Sequence, residues 1–544
     1  MSSRRVLGGF ALIAVLGAPA AFGEKRPLSA INWLSQSLKA PPATGVQPAA
    51  PAAAAPDPIA AVPVINGTQA TLPAVAGEVG VTQTSALPQP VAVSVLGGPS
   101  PDAVGLLPAA VTGFPRNLWG PGRSADIVAA IGDVRMEGLP ALQGLLMTLL
   151  LAEADAPPDT AGRGLLLMAR IDKLLEIGAL DQAEALINAA GPTASPELFR
   201  RSFDVALLTG DEGRACEVMQ RAPGLAPTLM ARVFCLARAA DWATAALTLR
   251  TSQALGQIEP ADDVLLTRFL DPDLFDGDPM PPPPKPVSPL IWRIYDALGE
   301  PVSTATLPPA FAHAELTDRA GWKAQIEAAE RLAHAGAIAP NVLLGLYTDR
   351  TPSASGGVWD RADAFQRFDA ALAKGDVAAV EQRLPLAYAR MKDVELEVPF
   401  ATLFASALAK LDLTGDAARI SYELGLLSPD YERLSKGPGA QQDARTLFLA
   451  GLAAGSVKDL IAPDSMARAI APAFTAPELP AGLVPVVQQG RTGEAILAAM
   501  GLIAQGLGGE LVKVTEGLSV LRKLGLEDVA RRTAIELMLL ERRG

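Results

Sequence analysis

The chain of 544 residues holds two histidines, His313 and His334, and two cysteines, Cys216 and Cys235. No short metal-ligand spacing links them, so a zinc site, a haem or a His-dependent triad has almost no material. Both histidines have ordinary alanine neighbours in helix-like stretches and read as structural or surface residues. The carboxylate pairs Asp262-Asp263 and Asp271/Asp273 have the residue type for general acid–base work, but at loops they read as solvated helix caps. A nucleophile elbow would read Gly-x-Ser-x-Gly, and its nearest match, Gly122-Arg123-Ser124-Ala125-Asp126, breaks at the last position. Phosphate-cradling, His-Glu-x-x-His and calcium-loop motifs are absent from the sequence. The expectation is a protein with no catalytic residue, metal or cofactor.

One loop has residues suited to recognition. Thr348 to Val358, TDRTPSASGGV, joins an apolar helical stretch ending near Tyr347 to one opening at Trp359-Asp360-Arg361. Loops of this length in compact helical proteins are uncommon and often functional. Gly356-Gly357 gives the backbone freedom, while Tyr347, Arg350, Trp359 and Arg361 supply aromatic and cationic groups for a peptide or glycan. The competing reading makes Trp359 a hydrophobic staple and Asp360 an N-cap.

These residues must be positioned by helices. From about Ser124 apolar residues recur at i, i+3, i+4 and i+7, and no useful run alternates as a strand would. Asp181, Asp211 and Asp241 stand 30 residues apart, each after a turn. Small residues follow at Ala183, Gly213 and Ala243, then at Ala185, Ala215 and Ala245. The spacing predicts a helical-hairpin repeat over residues 163–255, with the Asp capping each helix and the small residues admitting its partner. Irregular Gly-acid breaks continue at Gly375, Gly415, Gly493 and Gly525. The expected fold is all-α, an α-solenoid of helical hairpins in two blocks, 124–275 and 290–544, separated by a proline-rich hinge at 276–289.

Cys216 and Cys235 lie on successive predicted helices, equidistant from the turn Ala222 to Pro227. Residues so placed in an antiparallel hairpin sit at one level, within reach of a disulfide in an oxidising compartment; the alternative is a pair of buried thiols.

The compartment is written at the start. Residues 1–23 place Arg4 and Arg5 before an apolar run from Val6 to about Ala18, then Ala21-Phe22-Gly23. This is a secretory signal pattern, with cleavage before Glu24 and a periplasmic product; an uncleaved anchor is the alternative, though the run falls short of the roughly 20 residues a membrane span needs. Residues 24–40 align Ile31, Leu34 and Leu38 on one helical face beside Trp33, as a docking helix or a frayed terminus. Residues 41–120 read as a disordered Ala/Pro-rich linker, with 14 prolines and only Asp57, Glu78 and Asp102 as charges up to Pro115. The most apolar later stretch, Leu139 to Ala152, is short and predicts a buried helix, so no transmembrane segment is expected once the signal is removed. A net charge of −12 gives no support to a nucleic-acid partner.

The hairpins over 163–255 resemble tetratricopeptide or Sel1-like repeats, which implies the architecture; they lack the tetratricopeptide aromatic positions, so groove contacts do not carry over. Through PLSAINWLSQS, SPDAVGLLPAAVTGFPRNLW and GLYTDRTPSASGGVWDR the chain also resembles a group of exported bacterial proteins labelled antifreeze glycopeptide polyprotein. Tandem Ala-Ala-Thr arrays are absent, so that label implies little about activity. The expected role is a non-catalytic scaffold or adaptor of the cell envelope, binding a protein or peptide partner. The alternative is an accessory factor or enzyme of peptidoglycan metabolism, argued from compartment and architecture alone.

Overall fold

The computed structural model describes residues 100–135, 138–437 and 443–540. Residues 1–99, with the signal, the 24–40 segment and most of the linker, lie outside the described residues. Among those described the protein is all-helical, and its one extended pairing is a bridge between Leu107 and Ala152.

The linker assignment is corrected at its C-terminal end. Residues 100–120 are folded, because four apolar side chains among the prolines find distant partners: Leu107, Phe114, Leu118 and Trp119 all belong to the main core. Their backbone is held too. Leu106 and Leu107 donate N–H groups to the Leu151 carbonyl at 2.8 and 3.0 Å. The buried Asp102 accepts the Leu167 N–H at 2.9 Å, capping the Leu165–Glu176 helix from 65 residues away. On that helix Arg170, wholly buried, donates to the carbonyls of Val104, Leu150 and Ala152 at 2.6–3.0 Å. Such pairing is what makes a buried guanidinium tolerable.

From Leu165 to Leu270 the helices pack on their sequence neighbours. Leu180–Ala190, Glu212–Arg221 and Trp242–Ala254 each follow a tight turn whose left-handed residue is Gly178, Gly210 and Ala240. The three aspartates do not act alike. Asp241 accepts the Thr244 N–H as a cap, Asp211 flanks its helix without such a bond, and Asp181 lies inside the first turn. The register therefore differs from the sequence alignment. Ala183, Ala215 and Ala245 are each the fourth residue of their helix and are buried, whereas Gly213 and Ala243 are exposed. The first copy is displaced by two residues relative to its aspartate.

Two cores result. The smaller contains Phe199, Phe234, Leu266, Ile294 and Tyr295, so it draws on both sides of the 276–289 segment. The helix Pro289–Ala297 crosses back onto Pro196–Thr209, and Tyr295 donates its hydroxyl to the Pro281 carbonyl at 2.9 Å. The larger core runs from Leu107 to Leu540. The hinge thus does not divide the buried interior, because the chain beyond it packs on helices before it. The last helices also return to the first: Thr492–Leu507 packs on Ser124–Asp133, and Glu527–Leu539 on Pro140–Leu151.

Candidate functional site

The four residues singled out around the 348–358 loop do not form one surface. Tyr347 is wholly buried on the helix Pro340–Thr348, its ring stacked on Phe365 at 4.8 Å and its hydroxyl donated to Glu330. Burial, reinforced by the Glu330 charge, pushes that phenol well above its usual range. Arg361 grips both Glu330 oxygens at 2.7 and 2.8 Å. Trp359 is half-buried against Trp322, ring centroids 5.2 Å apart. Asp360 accepts the Gly356 N–H at 2.9 Å across the start of the Val358–Lys374 helix. Arg350 alone of the four is exposed, and it pairs with the adjacent Asp349. Recognition is corrected to support here: Tyr347 and Arg361 are spent on a buried carboxylate, and their aromatic and cationic faces point inward.

The remaining titratable candidates also have structural contacts. The His313 Nε2 lies 2.6 Å from the Gly178 carbonyl, and burial pushes its imidazole below the usual range. His334 lies 3.0 Å from Glu395. Asp263 accepts from Gln253 and Thr267, and desolvation raises Asp262. Asp271 and Asp273 are exposed at a helix end. No group of three or more His, Cys, Asp or Glu is placed to hold a metal ion among the described residues. Nor is any described helix long and apolar enough to cross a membrane.

A cleft lies elsewhere, beside the disulfide-linked hairpin. Cys216 and Cys235 are joined in a disulfide with Cα atoms 5.1 Å apart, which locks Glu212–Arg221 to Leu229–Arg238. One turn away, the buried Glu212 accepts from Arg238 at 3.0 Å and from Arg293 at 2.9 Å. Arg293 belongs to the returning helix Pro289–Ala297, so one carboxylate ties three helices together. Beside this node the turn at Ala240, the end of Pro260–Leu270 and the end of Pro289–Ala297 leave a cleft of about 630 Å³. Trp242, half of its surface exposed, stands at its wall 6.5 Å from the Phe269 ring; Leu270 and Leu298 complete the apolar lining.

A second hollow of about 200 Å³ shares Arg238 and Ala297 with the first and adds Glu212, Arg293, Asp296 and Arg319. The pair together join an aromatic wall to a cluster of guanidinium groups. Sequence reasoning missed this cleft because the parts of the two hollows come from five separate segments, around Glu212, Arg238, Phe269, Arg293 and Arg319. A signal existed at Trp242, the residue after Asp241, where the other two copies carry Gln182 and Glu212.

Comparison with family models, with curated proteins and with solved structures finds no match for this chain.

Proposed function

We propose that this chain is an exported, non-catalytic scaffold or adaptor of the cell envelope, built as an α-solenoid of tetratricopeptide-like hairpins, that binds a protein or peptide partner in the Trp242 cleft. The observation that carries the reading is the cleft itself. A large aromatic half-exposed beside apolar walls and arginines has the composition of a binding hot spot, where Trp and Arg contribute most. The disulfide supports an oxidising compartment, as the Arg4-Arg5 and Val6–Ala18 signal pattern does. The resemblance to exported proteins labelled antifreeze glycopeptide polyprotein belongs to the same proposal.

The test is capture from an envelope extract by the full chain and by its Trp242→Ala variant. A protein recovered with the first and lost with the second is the expected result. Equal recovery by both would remove the cleft from the account. Retention on sacculi with glycan turnover would replace the scaffold with a factor of peptidoglycan metabolism.

A further inference from the structure

The charges in the smaller hollow are unequally satisfied. Glu212 is bonded through Oε1 to Arg238 and Arg293, and Asp296 is bonded to Arg293. Arg293 is thereby committed on both sides. Arg238 is half exposed and spends one nitrogen on Glu212, while Arg319 is exposed and makes no ion pair among the described residues. In a chain of net charge −12, three arginines against two carboxylates make this a local cationic site. The Glu212 Oε2 atom is enclosed by protein, out of a ligand's reach, and accepts no hydrogen bond among the described residues, so the groups open to a ligand are the guanidiniums of Arg238 and Arg319.

We infer that the cleft selects a peptide carboxylate flanked by an apolar side chain, an inference that rests on the cleft being the partner site. The carboxylate lies against the free guanidinium faces of Arg238 and Arg319, whose planar forks match it in pairs. The neighbouring apolar side chain lies on Trp242 and Phe269 in the larger cavity, which suits it in size and lining. A fatty acid offers the carboxylate but a flexible chain with no ring to stack on Trp242 and Phe269, and a neutral glycan offers neither charge nor apolar anchor.

The experiment is calorimetric titration of the full chain with four probes: N-acetyl-Ala-Ala-Ala-Phe as the free acid, the same peptide as its C-terminal amide, N-acetyl-Ala-Glu-Phe-Ala amide, and decanoate. Saturable binding by the free acid or by the glutamate peptide, about tenfold tighter than the uncharged amide, is expected, and the stronger of the two identifies a chain terminus or an acidic side chain as the source. Arg319→Gln and Trp242→Ala each weaken that binding about tenfold, and Arg319→Gln, at an exposed position without an ion pair among the described residues, does so without moving the thermal transition. The inference is overturned if the uncharged amide binds as tightly as the acids, if decanoate matches the peptides, or if no probe binds at about millimolar concentration. Capture that still depends on Trp242, with no carboxylate preference, would overturn this inference while leaving the partner site in place; failure of both would remove the site.

Discussion

The Glu536 carboxylate accepts the Ala141 N–H with both oxygens at 3.0 Å, across 395 residues of chain. Ala141 is the second residue of Pro140–Leu151, whose first residue has no N–H and whose flanking Leu139 makes no side-chain cap bond. The last helix therefore supplies the cap that the local sequence lacks, and it places a negative charge at the positive end of the helix dipole. Replacing Glu536 by Ala strands a buried donor, with an expected loss of about 1–3 kcal/mol. A lower urea midpoint at unchanged slope is the expected reading, and a midpoint equal to that of the unaltered protein would show that this closure contributes nothing.

Ala240 holds φ at 61°, where the matching turns have Gly178 and Gly210. A side chain in that left-handed region costs about 1 kcal/mol, part of which Gly gives back through greater freedom in the unfolded chain. Ala240→Gly is expected to stabilise by about 0.5 kcal/mol, while Gly210→Ala, placed in the same conformation, destabilises by about 1 kcal/mol. Denaturant unfolding of the pair measures this, and the same sign for both substitutions would contradict the shared turn geometry.

Why was the helical architecture legible and the site not? Apolar spacing of 3.6 residues and Gly turns are local, and the Cys216–Cys235 pairing depends only on symmetry about one turn. The caps are another matter. Asp102, Asp159 and Glu536 serve helix starts 65, 35 and 395 residues distant, and no short window contains both partners. The same reason hid the fold of residues 100–120, whose prolines dominate the composition while Leu107, Leu118 and Trp119 carry the packing. Tyr347 and Arg361 misled for a related cause: their shared partner, Glu330, stands on another helix. The Trp242 cleft combines a turn and the ends of two helices, one of them the returning Pro289–Ala297, a juxtaposition made by that crossing and by no motif.

Burial pushes the Asp204 carboxyl up to about 6, with Arg200 and Arg201 opposing. Its folded-state value lies above the unfolded one of 3.8, so the protonated group's contribution is complete below that pH and is lost as pH rises through about 6. Asp204→Asn is expected to be more stable than the unaltered protein at pH 7, by about 3 kcal/mol, and nearly equal to it near pH 3.5. Unfolding midpoints across this range provide the check. A constant difference between the two proteins at every pH would contradict the assignment.

Cys216 and Cys235 are 19 residues apart, and closing a loop of that size is worth about 3 kcal/mol in the chain-entropy account. The denatured protein purified without reductant should yield no titratable thiol, and reduction should lower the unfolding midpoint of the part containing Phe199, Phe234 and Leu266. Two thiols per chain before reduction would contradict the bond.

We propose that the partner sits in the cleft between the Ala240 turn and the Pro289–Ala297 helix. Photo-crosslinking in intact cells addresses it most directly, with a photoreactive residue placed at Leu298 in the cleft lining or at Leu386, exposed elsewhere on the molecule. A discrete adduct from Leu298 that disappears with Trp242→Ala, and none of that size from Leu386, is the expected result. An equal adduct from both positions, or one from Leu298 that survives the loss of Trp242, would contradict it.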